Sequence, residues 1–188
     1  MKKTIILSLL TIIGLFTFLS SNAQQAKTPT IKWISLKEAL ELNKTAPKKI
    51  AIDLYTDWCG WCKRMDVTTF ADSAVAAYMN QNFYAVKFNA ETSDTVFYKN
   101  QILINQGVAF NKRATHDFAL QVGSDNGRMG FPTITYLDEN SNKAQAIPGY
   151  LTADQYLLCL KYINENHYKT KTFEEYYNAE MTKKANGQ

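Results

Sequence analysis

The sequence contains little of what builds disulfide-rich, collagen-like or proline-rich proteins. Its 188 residues include only three cysteines, four prolines and eight glycines. Three cysteines are too few for a disulfide framework to replace a hydrophobic core, and so little glycine and proline excludes collagen-like and low-complexity chains. Hydrophobic residues make up 46% of the chain, as in ordinary globular proteins. The length and composition therefore predict one folded domain with a short remainder.

A large excess of charge of one sign is also missing. The formal net charge is +4, from 21 basic and 17 acidic side chains. Lys2 and Lys3 lie in an N-terminal segment that we expect to be removed, which leaves 19 basic and 17 acidic side chains. Such a small surplus gives no electrostatic basis for binding nucleic acid.

The first 23 residues have the three parts of a secretory signal peptide. Met1-Lys2-Lys3 supplies the positive start, residues 5–19 form an uncharged and mostly apolar run, and small residues lead to Ala23. A retained membrane anchor is the alternative, but a spanning helix needs about 20 apolar residues. We therefore expect cleavage near Ala23 and an exported mature chain, periplasmic or secreted, in a compartment where thiols can be oxidised.

Hydrophobic periodicity and turn residues predict that strands and helices alternate along the rest of the chain. Strands are expected at 31–34, 50–55, 83–88, 133–137 and 143–147, and helices at 36–44, from 59, at 73–80, 114–122 and 152–165. A hairpin is expected within 95–110, a loop at 123–127 and a short helix after Thr172. The strand–helix–strand order over 50–88 indicates a parallel crossover unit.

We divide the chain into four parts on these patterns. Residues 1–23 are the signal peptide, 24–30 a polar linker, 31–167 the folded domain and 168–188 a C-terminal helical extension.

Two of the three cysteines lie in Trp58-Cys59-Gly60-Trp61-Cys62-Lys63, directly after a strand of buried type and at the start of a predicted helix. The unpaired amides and the dipole at a helix N-terminus favour the thiolate form of a cysteine. The spacing lets the second sulfur reach the first, so the pair can cycle between dithiol and disulfide. We expect Cys59 to be exposed and to attack a partner disulfide, and Cys62 to resolve the mixed disulfide.

The cysteine pair has three alternative uses besides redox chemistry: haem attachment, zinc binding and a structural disulfide. Haem attachment needs a histidine where the chain has Lys63. A tetrahedral zinc site needs two more ligands, and the remaining candidates, Cys159, His116 and His167, form no second short-spaced pair. A purely structural disulfide would close a very short loop and restrict the unfolded chain little. Cys159 is expected to be a buried inert thiol, and His116 to lie on a helix surface.

These residues resemble the thioredoxin superfamily, specifically exported thioredoxin-like proteins with a Trp-Cys-Gly-Trp-Cys-Lys motif. Residues 52–59 look like the family's central strand and the entry to its active helix, and 86–89 look like its next strand. Residues 130–133 look like its cis-proline turn, and 148–150 match the segment before its last helix. The resemblance implies an α/β fold with a central mixed sheet flanked by helices. Before the cis-proline turn, the chain carries an insertion at about 91–128.

The resemblance also implies roles for single residues. Asp53 matches a buried acid beneath the second cysteine, and a desolvated carboxylate with a raised pKa can exchange a proton with the Cys62 thiol. Lys87 matches the lysine that pairs with this acid. Pro132 is expected to follow a cis peptide bond, and the backbone of Phe131 can pair with an extended substrate segment.

The expected substrate surface consists of Trp58, Gly60, Trp61, Phe131 and Pro132. Trp58 matches a tryptophan beside the family's active site, although packing in the core is an alternative for it. Trp61 is a departure, because the best-known thioredoxins have proline there. An indole in the motif enlarges the apolar contact surface near Cys59.

The sequence thus predicts an exported thiol–disulfide oxidoreductase that needs no organic cofactor and no metal. Its expected partners are protein thiols and disulfides, with an electron donor in the membrane, and we expect it to act as a monomer. The alternative is a non-catalytic binding or chaperone module on the same fold.

Overall fold

A computed structural model describes residues 28–124 and 129–187 of the chain. The predicted signal peptide and most of the predicted loop at 123–127 lie outside these ranges. The described strands are β1 (Trp33–Ile34), β2 (Lys49–Tyr55), β3 (Phe83–Asn89), β4 (Val96–Tyr98), β5 (Gln101–Leu103), β6 (Thr133–Leu137) and β7 (Lys143–Pro148). The described α-helices are α1 (Leu36–Thr45), α2 (Gly60–Thr68), α3 (Ser73–Asn82), α4 (Asp117–Gly123), α5 (Ala153–Asn164) and α6 (Phe173–Ala185).

Five strands form a mixed sheet in the order β1-β3-β2-β6-β7. β3 pairs in parallel with both β1 and β2, whereas β6 runs antiparallel to both β2 and β7. The predicted crossover unit is therefore confirmed, and the predicted strands at 133–137 and 143–147 form an antiparallel pair. β2 is central, and six of its seven residues are buried. The continuous apolar run in its sequence is typical of a strand covered on both faces.

Helices cover the sheet on both sides and enclose two hydrophobic clusters. One cluster joins the sheet to α2, α3, α5 and α6, with Met65, Met79, Tyr156 and Leu160 almost fully buried. The other joins the sheet to α1, α4 and the β4–β5 hairpin, and Phe118 is buried at its centre. The predicted fold class, a central mixed sheet flanked by helices, is confirmed.

Hydrogen-bonding side chains mark the starts of the helices where the sequence predicts them. Thr152 and Thr172 form complete capping boxes with Gln155 and Glu175. Ser35 accepts a hydrogen bond from the amide of Glu38 at 3.1 Å. These caps satisfy amide groups that the first turn of a helix leaves without partners.

The insertion contains a separate two-stranded sheet of β4 and β5, followed by α4. The expected hairpin is present but ends at Leu103, and α4 begins at Asp117 rather than near 114. The reason for the later start is His116, which caps α4: its Nδ1 accepts from the amide of Phe118 at 3.0 Å. Its Nε2 lies 2.9 Å from the carbonyl oxygen of Asp94, and the residue is fully buried. The prediction of a surface histidine was therefore wrong.

The C-terminal helix α6 packs against the domain. Tyr176 is 4% exposed, and its ring centroid lies 5.4 Å from that of Tyr162 in α5 and 4.9 Å from that of His167. Across the ranges that the structure describes, none of the helices combines the length and the apolar character that a membrane span requires.

Candidate active site

The two cysteines of the motif form a disulfide at the start of α2. Cys59 and Cys62 are joined with an S–S distance of 2.08 Å. The turn after β2 is closed by a 3.1 Å hydrogen bond from the Cys59 amide to the carbonyl oxygen of Thr56. Cys59 is the N-cap residue of α2, and its Sγ accepts from the amide of Cys62 at 3.0 Å. The sulfur of Cys59 therefore faces the amide end of the helix, where negative charge is stabilised.

Both cysteines are sheltered in this oxidised form. Cys59 is 4% exposed and Cys62 is 3% exposed. The expectation of an exposed Cys59 was wrong for this state, because the disulfide holds its sulfur against the buried Cys62 at the first turn of the helix. Gly60, between them, is the exposed first residue of α2.

Asp53 is a buried carboxylate in the middle of the sheet. It is 2% exposed and lies in register with Lys87 on the neighbouring parallel strand. Lys87 Nζ is 3.1 Å from Asp53 Oδ2, but neither carboxylate oxygen has a well-aligned hydrogen bond within the described residues. Burial raises the pKa of Asp53 from an ordinary 3.8 to about 6; the charge of Lys87 opposes this rise and that of Asp66 adds to it. Asp53 can therefore bind and release a proton near neutral pH.

Lys87 connects this buried acid to the surface of α2. Its ammonium also pairs with the carboxylate of Asp66, which lies four residues after Cys62 and is 44% exposed. Three aromatic rings surround the same ammonium, with centroids 5.2 to 5.3 Å away: Trp33, Tyr55 and Phe70. The expected pairing of Lys87 with Asp53 is confirmed, whereas Asp66 was missed. The spacing of four from Cys62, which places two residues on one helix face, could have indicated it.

The turn before β6 has the expected cis-proline. The peptide bond between Phe131 and Pro132 is cis, and the carbonyl oxygen of Pro132 accepts from the Gly149 amide at 2.8 Å. No backbone hydrogen bond joins Phe131 to another residue of the described ranges. Within these ranges its main-chain groups therefore have no backbone partner, as pairing with an added extended segment requires.

Exposed aromatic side chains lie beside the disulfide. Trp58 is 51% exposed and Trp61 is 62% exposed, so packing in the core does not explain either residue. The ring centroid of Trp58 lies 5.9 Å from that of Phe131 in an edge-to-face arrangement. The ring centroid of Trp61 lies 5.4 Å from that of Tyr150. Tyr150 therefore belongs to the same aromatic surface, although the sequence analysis did not assign it to the site.

Two residues of the insertion also reach this surface. Glu91 Oε1 accepts from Trp58 Nε1 at 3.0 Å and lies 3.2 Å from Arg113 Nε. The guanidinium carbon of Arg113 is 5.1 Å from the centroid of the Trp58 ring. Sequence reasoning missed both residues, because only the fold brings these two distant segments of the insertion to Trp58.

The third cysteine stands apart from this chemistry. Cys159 is fully buried, and its Sγ lies 3.1 Å from the hydroxyl oxygen of Tyr136. Burial raises the pKa of its thiol to about 12, so it stays protonated and unreactive, as predicted. Within residues 28–124 and 129–187, no group of three or more His, Cys, Asp or Glu side chains is arranged to hold a metal ion.

Comparisons with known proteins agree with this geometry. The profile of the thioredoxin-like domain family matches residues 36–164. The thiol:disulfide interchange protein DsbD of Haemophilus ducreyi is 29% identical over 147 residues, 75% of this chain and 22% of that protein. DsbD of Vibrio vulnificus is 33% identical over 87 residues, 39% of this chain and 14% of that protein. A solved structure named DsbH oxidoreductase superposes with a TM-score of 0.50 at 20% identity, covering 80% of this chain and 95% of that one.

The fold and the disulfide at the start of α2 define the class of the protein, that of thioredoxin-fold proteins with a Cys-x-x-Cys disulfide. The chain belongs to the thioredoxin-like domain family. It spans only 14% to 22% of the length of these two DsbD relatives. Because the DsbH structure is only 20% identical in sequence, its similarity supports the fold alone.

Proposed function

We propose that the protein is an exported oxidoreductase that reduces or exchanges disulfides of other proteins through Cys59 and Cys62. The observation that carries the proposal is the Cys59–Cys62 disulfide at the N-terminus of α2. In it, Cys59 Sγ accepts a hydrogen bond from the Cys62 amide of the first helical turn. The buried Asp53–Lys87 pair supports it as a source and acceptor of protons.

The first step begins with the reduced protein. The Cys59 thiolate attacks one sulfur of the substrate disulfide and forms a mixed disulfide, while the other substrate sulfur leaves as a thiolate. The substrate segment lies along the backbone of Phe131 and the exposed indoles of Trp58 and Trp61.

The second step resolves the mixed disulfide. Asp53 accepts the proton of the Cys62 thiol, and the resulting thiolate attacks the sulfur of Cys59. The substrate sulfur that was bound to Cys59 in the mixed disulfide then leaves as a thiolate, and the protein is left with the Cys59–Cys62 disulfide. Two electrons have passed from the protein to the substrate, and the proton leaves Asp53 for solvent.

Return to the reduced state needs an external dithiol or another electron donor. The DsbD relatives are named thiol:disulfide interchange proteins, and a donor in the membrane is the partner that we propose for an exported reductase. We propose that the protein works as a monomer after removal of residues 1–23 near Ala23.

Insulin reduction tests the proposal. With dithiothreitol as the electron donor, we expect the protein to accelerate the precipitation of reduced insulin chains, and Cys59→Ser to abolish the acceleration. Cys159→Ser is the matched control, because it also removes one thiol but leaves the pair intact. Absence of turnover by the unaltered protein, or equal turnover by Cys59→Ser, would refute the proposal.

The second candidate is a binding or chaperone module that uses the exposed aromatic side chains. Besides the two indoles at the disulfide, Phe97 and Phe110 of the insertion are each 71% exposed. This candidate requires that Cys59→Ala and Cys62→Ala leave the biological effect intact. Loss of the effect in both variants, with the fold retained, selects the enzyme.

A further inference from the structure

Two segments of the insertion that are distant in sequence are held together by one buried side chain. Asn105 is 6% exposed, and its Nδ2 lies within hydrogen-bond distance of three carbonyl oxygens: Glu91 at 3.2 Å, Thr92 at 3.2 Å and Ala114 at 2.9 Å. Its Oδ1 accepts from the amide of Gly107 at 3.0 Å. The segment that follows β3 and the segment that precedes α4 are thereby fixed next to each other.

The two residues that this arrangement brings to Trp58 hold different parts of its indole. Glu91 binds the indole N–H, and Arg113 lies over the ring while its Nε pairs with the same carboxylate oxygen. Phe131 contacts the ring in an edge-to-face arrangement. Such hydrogen-bonded, cation–π and aromatic contacts each favour one orientation of an otherwise exposed indole.

The position of Trp58 makes this orientation relevant to substrates. Trp58 directly precedes the attacking Cys59, and Phe131 directly precedes the cis-proline. Half of Trp58 stays exposed, so a chain that carries the substrate disulfide has a fixed apolar surface to lie against. A surface fixed in advance costs less conformational entropy on binding than one that must be ordered.

We propose that Glu91 and Arg113 are specificity-determining positioning residues, which fix Trp58 as a wall of the substrate site and favour disulfides carried by polypeptides over small disulfides. This inference rests on the proposed function and specifies its substrate class. A small disulfide contacts only the reacting sulfurs, and its reduction does not depend on the wall. A polypeptide also contacts Trp58, so its binding does depend on the wall.

Steady-state kinetics with two substrates test the inference. Insulin supplies a polypeptide disulfide, and bis(2-hydroxyethyl) disulfide supplies a small uncharged one, while Lys112→Ala controls for the effect of one lost positive charge on insulin binding. For Arg113→Ala we expect the KM for insulin to rise about fivefold with kcat nearly unchanged, because uniform binding is lost. Neither constant for the small disulfide should change.

Glu91→Gln and Lys112→Ala complete the design. The glutamine keeps an acceptor for the indole N–H but loses the ion pair with Arg113, so its effect on the KM for insulin should be smaller and in the same direction. Lys112→Ala removes the same charge from the adjacent exposed residue, and we expect it to change nothing. Thermal unfolding of each variant shows whether the fold is retained.

The possible outcomes distinguish a failure of this inference from a failure of the proposed function. If the unaltered protein reduces neither substrate, the proposed function fails and the inference with it. If the unaltered protein reduces both, three results overturn the inference alone: no effect of Arg113→Ala, equal losses with both substrates, or the same loss in Lys112→Ala.

Discussion

Among single residues, Asp53 carries the strongest departure from ordinary chemistry at the site. A carboxylate that is 2% exposed and has no well-aligned hydrogen bond in the described part of the chain is costly to ionise. Lys87 offsets part of that cost, but Asp66 pairs with the same ammonium. The pKa of about 6 follows from this incomplete compensation.

Replacing Asp53 by asparagine should remove a loss of stability that the unaltered protein undergoes as the pH rises. The carboxyl takes up protons more readily in the folded state, with a pKa of about 6, than at the ordinary 3.8 of the unfolded state. Ionisation therefore lowers the free energy of unfolding as the pH rises from about 4 to above 6. A difference of two units corresponds to about 3 kcal/mol.

Denaturant unfolding of the two oxidised proteins measures this effect. Between pH 4 and pH 8 the free-energy difference should shift by about 3 kcal/mol in favour of Asp53→Asn. A difference that stays constant across this range would show that Asp53 has an ordinary pKa.

Asp66→Asn should lower the pKa of Asp53, because the negative charge of Asp66 disfavours ionisation of the buried acid. Lys87→Gln should raise it, because the favourable cation is removed. Asp66 is 44% exposed, so its effect on the pKa of Asp53 should be small and should weaken with added salt. The carboxyl carbon chemical shift of Asp53, followed against pH, reports both changes. A change of the Asp53 pKa in the same direction in both variants would be incompatible with the observed geometry.

At the level of secondary-structure elements, local sequence signals predicted the regular framework well. The apolar run of β2, the strand-forming segments of β6 and β7, and the helix starts at Thr152 and Thr172 each depend on a few neighbouring residues, and the structure confirms these elements. The Cys-x-x-Cys spacing and the cis-proline were likewise accessible, the first from chemistry and the second from family resemblance.

The insertion could not be predicted in the same way, because its structure depends on contacts that are distant in sequence. The buried ring of His116 forms a hydrogen bond with the carbonyl oxygen of Asp94. The side-chain amide of Asn105 donates hydrogen bonds to the carbonyl oxygens of residues 91 and 114. Neither contact leaves a periodic pattern in the sequence. The same reason explains why Glu91 and Arg113 were missed at the site, whereas Asp53, within a recognisable strand, was found.

For the molecule as a whole, the sheet separates α2 from the hydrophobic cluster that contains the insertion. α2 packs in one cluster with α3, α5 and α6, and the hairpin and α4 belong to the other. The insertion therefore meets the active site at its rim, through Glu91 and Arg113. This arrangement is typical of scaffolds that carry specificity on loops around a fixed reactive group.

The C-terminal helix should contribute to stability without acting at the disulfide. Tyr176 is buried against Tyr162 and His167, and truncating a buried aromatic side chain costs about 3 kcal/mol. We expect Tyr176→Ala to lower the free energy of unfolding by this amount while the folded fraction keeps its insulin reductase activity. Asn178→Ala, at an exposed position of the same helix, serves as the control and should change the stability by less than about 0.5 kcal/mol.

The division of labour between the two cysteines can be examined by covalent trapping. The Cys62→Ala protein, mixed with a protein that contains a disulfide, should accumulate a mixed disulfide through Cys59, because no second thiol is present to release it. The adduct should disappear on reduction and should not form with Cys59→Ala. Formation of no adduct by Cys62→Ala, or of equal amounts by both variants, would mean that Cys59 is not the attacking group.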